Sequence, residues 1–148
     1  MLKEKMKEVL HKHTLWLEGK EGGERADLRS ADLSGFDLTG VNLSRANLTR
    51  ANLSSAHMAN AKLRSAIMIG ANLSRADLNG ADLGKANLCG AKLLWADLMG
   101  ANLNSACLLH ADLINAYLGY ADLTGACLHC ADLEGAHLLD AVMNEAVK

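Results

Sequence analysis

Residues 26–50 read ADLRS ADLSG FDLTG VNLSR ANLTR, and the same five-residue pattern continues to Glu145 without an insertion or a deletion. The chain therefore contains 24 consecutive five-residue units. The first place of a unit is almost always Ala, the second is usually Asp or Asn, and the third is Leu or Met. Self-similarity at a fixed period indicates a repeat architecture.

A period of five fits neither of the regular secondary structures. On an α-helix five residues advance about 500°, so successive leucines would point about 140° apart and no apolar stripe would form. On a straight strand an odd period sends successive leucines to opposite faces. The chain must therefore bend once in every unit. We predict a solenoid in which the first and third places face the interior and the other three face water.

The outward places of the unit are typical of turns. Asp or Asn fills the second place in 15 of the 24 units, and Gly or Ser often fills the fifth. These residue types favour tight turns, through side-chain bonds to the backbone or through tolerance of positive φ. The pattern A(D/N)LXX over residues 26–148 resembles the pentapeptide-repeat family. The resemblance implies an all-β solenoid, a right-handed quadrilateral β-helix with four units per coil and about six coils.

Residues 1–25 form a separate segment before the repeats. Apolar or packing residues recur in it at steps of three and four: Leu2, Met6, Val9, Leu10 and His13. This spacing predicts a short amphipathic α-helix from residue 2 to about residue 17, followed by a glycine-rich linker. Such a helix would cap the first coil, whose apolar floor and strand edges would otherwise be exposed. We expect Trp16 to pack there against Phe36 and Val41.

Composition narrows the function classes. The 148 residues carry a formal net charge of −2, too small to diagnose a nucleic-acid or membrane partner. The N-terminal residues are charged throughout and contain no apolar run long enough for a signal segment or a membrane span. The four cysteines lack the density of a small disulfide-stabilised protein. We therefore expect a cytoplasmic protein.

One group of residues has the linear spacing of a zinc site. It has the form C-x2-H followed by C-x2-C, with a further histidine: Cys107, His110, Cys127, His129 and Cys130. The second and fifth places of a unit lie roughly 10 Å apart along an extended chain, whereas zinc ligands must converge within about 2.3 Å of the metal. A Cys107–Cys127 disulfide is sterically allowed, but a cytosolic setting disfavours it. We predict a structural role for these residues, and neither a metal nor another cofactor.

The repeats supply no catalytic constellation. Their serines lack a neighbouring base, and their glycines are turn residues at fixed offsets rather than a phosphate-binding loop. A filled rod also has no concave pocket for a small molecule. We predict that the protein is not an enzyme.

Charge is unevenly distributed along the rod. Residues 26–85 carry seven basic and five acidic side chains, which gives a net charge of +2. Residues 86–147 carry one basic and seven acidic side chains, which gives a net charge of −6. The net negative charge of residues 86–147, spread over three coils, corresponds to roughly one charge per 2.4 Å of the solenoid axis. Duplex DNA carries one charge per about 1.7 Å of its axis. Members of the family that this chain resembles include acidic rods that are shaped like duplex DNA and protect gyrase-type topoisomerases. The resemblance therefore implies a partial imitation of DNA by residues 86–147. The candidates for such mimicry are Asp97, Asp112, Asp122, Asp132 and Glu134. Turn chemistry alone also accounts for much of this acidity.

Two apolar surfaces are predicted in the same half. Residues with the composition of a protein interface cluster on adjoining sides: Leu94, Trp95, Met99, Ile114, Tyr117 and Tyr120. The last coil would expose an apolar floor formed by Leu128, Leu133, Leu138 and Met143. We expect a homodimer through this C-terminal end, because closed two-fold pairing is the commonest oligomer. The resemblance implies the same arrangement.

These observations favour a non-catalytic protein-interaction rod. The leading hypothesis is a partial DNA mimic that binds and inhibits or modulates a DNA-handling protein, such as a gyrase-type topoisomerase or another DNA-binding effector. Direct binding of nucleic acid is disfavoured, because the acidic residues beside the aromatic ones would repel phosphate. The alternative is a structural or scaffold protein whose surface patch serves self-association, with no DNA-related target.

Overall fold

The computed structural model describes residues 2–147 and begins with one helix, α1, which spans Leu2–Leu17. These bounds agree with the helix predicted from the sequence. The helix ends in a Schellman motif, in which Lys20 N–H donates to the Leu15 carbonyl (2.9 Å) and Gly19 N–H donates to the Trp16 carbonyl (3.1 Å). Gly19 has φ +67°, a left-handed conformation that this motif requires and that glycine adopts at little cost.

After α1 the chain stacks upon itself with a register of 20 residues. Parallel β-bridges join positions 20 apart, from Asp27–Asn47 to Cys127–Val147. Four units therefore form one coil, and coils 1 to 6 begin at residues 26, 46, 66, 86, 106 and 126. We name the four sides of the stack faces A, B, C and D, which begin in coil 1 with residues 26–30, 31–35, 36–40 and 41–45.

Within residues 2–147 no β-strand is longer than a single bridged residue. The predicted all-β character therefore consists of isolated bridges at the second place of each unit. The strands are this short because a turn follows each bridged residue. In that turn the fifth residue of each unit adopts a positive φ, for example 57° at Trp95. The chain changes direction before a second residue can pair.

The alanine and leucine places fill the interior, as predicted. From Leu38 to Leu123, every third-place residue exposes 1% or less of its surface. The first-place alanines from Ala46 to Ala126 are equally buried. The core is thus a column of Leu and Met side chains flanked by Ala methyl groups.

Backbone hydrogen bonds join each coil to the next in a fixed pattern. The third-place N–H donates to a second-place carbonyl of the following coil, as Leu73 does to Lys92 (2.7 Å). The second-place N–H donates back to a first-place carbonyl, as Asn72 does to Ala51 (2.9 Å). These bonds satisfy the polar backbone groups that stacking removes from water.

The second-place Asp and Asn residues organise the turns. Each of them accepts a hydrogen bond through Oδ1 from the N–H of the fourth place of its own unit. This is the Asx turn that the sequence pattern predicts. The turn explains why Asp or Asn is preferred here, and either residue serves it.

Helix α1 covers the first coil. Met6 is buried, and Val9 and Leu10 pack against the core. Phe36 lies beside Met6 and Leu10 in a surface groove, whereas Trp16 stacks on His13 with ring centroids 5.5 Å apart. The cap is thus built from the apolar face of the predicted helix.

At the other end, the chain partly covers coil 6. Val147 accepts a hydrogen bond from Leu128 N–H (2.6 Å), and Leu128 is only 3% exposed. The prediction that Leu128 belongs to an exposed floor was therefore wrong, because residues 146–147 begin to lie over it. The other three floor residues, Leu133, Leu138 and Met143, are half-buried and have no coil over them within residues 2–147.

Candidate protein-binding surface

The largest exposed apolar side chains of coils 4 to 6 lie mainly on faces B and C. Trp95 is 47% exposed, Tyr120 is 59% exposed and Leu139 is 68% exposed. With two neighbours they form a surface that we call the side patch: Trp95, Met99, Tyr117, Tyr120 and Leu139. Such side chains are the usual anchors of protein interfaces.

The turn geometry points Trp95 and Tyr120 outward. Trp95 and Tyr120 occupy the fifth place of their units, with φ values of 57° and 58°. A left-handed conformation costs a residue other than glycine roughly 1–2 kcal/mol. Sixteen residues other than glycine adopt this conformation at fifth places, so the turn neither requires nor excludes an aromatic side chain there.

A ring stack and a glycine make the side patch continuous across coils. The rings of Tyr117 and His137 stack with centroids 4.9 Å apart and an interplanar angle of 6°. Gly119 is buried, and a Cβ placed on it would lie 3.9 Å from Met99 Cγ. This is ordinary van der Waals contact, and it shows that the side chain of Met99 in coil 4 extends to the backbone of coil 5.

The predicted patch residues differ in exposure. Leu94 and Ile114, expected to be exposed, are half-buried. Sequence reasoning missed Leu139 and His137 of coil 6. The signal was present, because Leu139 lies 40 residues after Met99 and 20 after Gly119 in the same column.

The acidic candidates are spread over three faces and do not form one stripe. Asp112, Asp132 and Glu134 lie on face B, where Asp112 and Asp132 are joined by a bridge. Asp97 lies on face C and Asp122 lies on face D. Hydrogen bonds from the side chain and the N–H of Thr124 lower the pKa of Asp122. Face B therefore carries an acidic cluster, formed by Asp112, Asp132 and Glu134 in coils 5 and 6, with Lys92 bridged to Asp112 and Trp95 at the end of the same face in coil 4.

The cysteine and histidine residues with zinc-like spacing are distributed along face A. Cys107 is bridged to Cys127, as the stacking map predicted, and His110, His129 and Cys130 are exposed. In the part of the chain from residue 2 to residue 147, no three His, Cys, Asp or Glu side chains come together in a way that would hold a metal ion. Sequence reasoning did not predict that Cys89 is the residue whose sulfur contacts Cys107.

A membrane-crossing helix, which needs both length and apolar character, does not occur among residues 2–147. The single helix α1 contains several Lys and Glu residues.

Comparison with known families identifies the repeats. The sequence model of "Pentapeptide repeats" matches eight copies in this chain, over residues 26–64, 56–93 and 96–129. The chain belongs to the pentapeptide-repeat family. Members of this family are generally structural or protein-interaction proteins. No curated protein matches the sequence at a significant level.

Pentapeptide repeat proteins are also found among the solved structures that are similar to this chain. A pentapeptide repeat protein of the Arabidopsis thaliana thylakoid lumen is 31% identical over 65% of this chain and 67% of its own, with a TM-score of 0.63. Rfr23 of the cyanobacterium Cyanothece 51142 is 29% identical over 96% and 98% of the two chains, with a TM-score of 0.39. QnrB1, a plasmid-mediated fluoroquinolone resistance protein, is 21% identical over 77% and 70%, with a TM-score of 0.52. The likeness to QnrB1 concerns the fold alone.

Proposed function

We propose that this protein is a non-catalytic interaction rod that binds a DNA-handling protein through the side patch and the acidic cluster of face B. The observation that carries the proposal is the adjacency of exposed aromatic residues and carboxylates in coils 4 to 6. Its partner would be a gyrase-type topoisomerase or another DNA-binding effector, as the family resemblance implies. We place the protein in the cytoplasm with that partner.

The apolar part of the surface supplies anchors. Trp and Tyr are the residue types that dominate binding energy at protein interfaces, because they bury a large area with few rotatable bonds. Trp95 and Tyr120 project from corners and can enter pockets of a partner. The stacked Tyr117 and His137 rings provide a flat and rigid surface beside them.

The acidic part of the surface selects the partner. Residues 86–147 carry a net charge of −6, and a cluster of carboxylates attracts the Lys- and Arg-rich surface with which a protein holds duplex DNA. Asp112 and Asp132 lie one coil apart, about 4.8 Å. Each uses Oδ1 in its own Asx turn and keeps Oδ2 for a partner. The mimicry is partial, because residues 26–85 are net basic.

The repeat offers a clean test that separates mimicry from turn chemistry. Asn replaces Asp at many second places, so Asp112→Asn and Asp132→Asn remove charge while keeping the turn. Combined with Glu134→Gln, they should weaken binding to a DNA gyrase, or relieve its inhibition in a supercoiling assay, by at least tenfold. The matched control is Asp32→Asn on the same face of coil 1. Unchanged binding by the triple variant would refute the mimicry.

The aromatic anchors are tested with a second matched pair. Trp95→Asn and Tyr120→Asn keep a residue that tolerates the left-handed turn. The control is Arg75→Asn, which lies one coil before Trp95 in the same column. Loss of binding in the first two variants alone, together with competition by duplex DNA, supports the proposal. If no DNA-handling protein binds, the scaffold function remains.

The end of coil 6 favours the scaffold function as a second candidate. Leu133, Leu138 and Met143 are half-buried there, and Leu139, Val142 and Val147 are exposed around them. We propose that a second copy of the chain covers this end in a homodimer. Light scattering should give twice the monomer mass, and Leu138→Asn should halve it. A monomeric mass for the unaltered chain would refute the dimer.

We also infer that the stacked coils form the right-handed quadrilateral β-helix implied by the family. The register of 20, with four units per coil, supports this arrangement. An experimental electron-density map would test the handedness directly.

A further inference from the structure

A pair of thiols joins coils 4 and 5 on face A. The sulfur atoms of Cys89 and Cys107 are 2.7 Å apart. This distance is short for two atoms that are not bonded to each other. Nonbonded carbon atoms, which are smaller than sulfur atoms, already prefer a separation of about 3.5–4.0 Å. The contact is only about 0.7 Å longer than the S–S bond of a disulfide.

The backbone fixes both partners of this pair. Cys107 donates its N–H to the Ala86 carbonyl (2.9 Å), and its carbonyl accepts from Leu88 N–H (2.7 Å). Cys89 N–H donates to Asn87 Oδ1 (3.2 Å) in the Asx turn of its unit. Neither thiol needs a movement of the chain to meet the other. Preorganisation of this kind is the main requirement for forming a disulfide.

We propose that Cys89 and Cys107 are a redox modification site, at which a low-molecular-weight disulfide such as oxidised glutathione converts two thiols into a reversible disulfide between coils 4 and 5. The proposal is independent of the partner protein proposed above, because no residue of the side patch or of the face B cluster lies on face A. It also assigns a pairing that the linear spacing did not indicate, since the column of bridged residues had pointed to Cys107 and Cys127.

The chemistry balances as two thiol–disulfide exchanges. The Cys107 sulfur, as a thiolate, attacks one sulfur of oxidised glutathione, forming a mixed disulfide and releasing one glutathione thiol. The Cys89 sulfur then attacks the Cys107 sulfur, and the second glutathione leaves as a thiol. Two electrons pass from the protein sulfurs to glutathione, and the two protein thiol protons end on the two released glutathione molecules.

Burial controls the rate of the closing step. Desolvation, and then the hydrogen bond with Cys107, raise the pKa of Cys89 to about 11. Thiolate is the reactive form, and the burial that contributes most to this shift persists when Cys107 is in the mixed disulfide, so closure should continue to accelerate as the pH rises above about 8.5. A thiol with an ordinary pKa of about 8.5 would reach its plateau earlier.

The test is oxidation of the purified chain with oxidised glutathione, followed by alkylation and non-reducing peptide mapping. Two of the four thiols should become resistant to alkylation, and the map should show one intramolecular bond joining Cys89 to Cys107. The bond should raise the melting temperature by roughly 5–10 °C. Dithiothreitol should reverse both effects.

Four variants provide the controls. Cys89→Ser and Cys107→Asn restore residue types that other units carry at these places, and each should abolish the bond while the circular dichroism stays unchanged. Cys127→Ser and Cys130→Ser should leave it intact. Three outcomes would overturn the proposal: a Cys107–Cys127 bond, a bond only between molecules through the exposed Cys130, or four thiols that all remain alkylatable.

Discussion

The Nε2 atom of His13 lies 3.1 Å from the carbonyl oxygen of Ser44, which connects helix α1 to the end of coil 1. The other ring nitrogen, Nδ1, accepts the N–H of Ala26 at 3.0 Å. Because a backbone N–H can only donate, Nδ1 carries no proton and Nε2 donates to Ser44. The imidazole is fully buried and is neutral in this arrangement. The cap is therefore attached through one defined tautomer of one histidine.

Acidification should loosen the cap. Burial lowers the pKa of His13 below its usual value of 6.5, and the charge of Arg25 contributes to the same shift. The unfolded chain therefore takes up a proton before the folded chain does. Stability is complete above about pH 6.5 and declines as the pH falls from there through the lowered pKa. Thermal melts between pH 7.5 and pH 5, followed by Trp16 fluorescence in a Trp95→Phe background, should show this decline.

The variant His13→Leu should remove that pH dependence and lower stability at pH 7.5 by about 1–3 kcal/mol, because the Ala26 N–H loses its buried acceptor. His110→Asn, at an exposed position, is the matched control and should retain the slope. An unchanged slope in His13→Leu would contradict the assignment.

Replacing Gly23 by Ala should detach α1 from the coils. A Cβ at Gly23 would overlap the backbone of Trp16, so the substitution should cost about 1–3 kcal/mol and reduce the helical circular dichroism. Gly90→Ala is the comparison, because a Cβ at Gly90 meets nothing within 4 Å and its φ is +63°. That change strains one turn but should preserve the helical signal. Equal loss of helix in both variants would argue against a close approach at Gly23.

The Asx turns should tolerate Asn and reject Ala. The variant Asp122→Ala should lower the melting temperature by roughly 2–4 °C through loss of the bond from Thr124 N–H, whereas Asp122→Asn should change it little. Because the folded pKa of Asp122 is depressed below 3.8, its contribution is present above that pH and is lost as the pH falls through the lowered value. Melts at pH 7 and pH 3 check both statements, and equal destabilisation by Ala and Asn would refute the first.

Core truncation should depend on the position along the stack. Leu103 is fully buried between coils, so Leu103→Ala should cost about 2–5 kcal/mol. Leu133, which fills the third place of a unit on face B of coil 6, is half-buried, and its truncation should cost less than half as much. Hydrogen exchange should show that Leu133→Ala loosens coil 6 alone, since each coil contacts only its neighbours. A uniform loss of protection would contradict this expectation.

Much of the architecture could be predicted from the residues. The helix bounds, the buried first and third places and the Asx turns follow from periodicity and side-chain chemistry, and each is confirmed. The register of 20 could not be derived from the residues, because every unit offers the same Ala and Leu to the core. No pattern in residues 26–145 marks which units share a face. That information came from the family resemblance.

The surface was less predictable. Leu94 and Ile114 are half-buried, although they occupy the fourth place of a unit, where Met99 and Leu139 are exposed. The contact between Cys89 and Cys107 joins the fourth place of one coil to the second place of the next, and a map of residues 20 apart cannot show such a diagonal. Leu128 is covered because the chain continues over it for two more residues.

The core residues of this protein repeat every five residues, whereas the surface residues that share one face are 20 residues apart. Removal of one pentapeptide upstream of Trp95 would leave the hydrophobic packing almost undisturbed, yet it would carry every later side chain round to the adjoining wall relative to α1. A change in the number of repeats should therefore have little effect on folding but a large effect on which surface faces a partner. The side patch would then point a quarter of a coil away from its present direction, although none of the residues that compose it had changed.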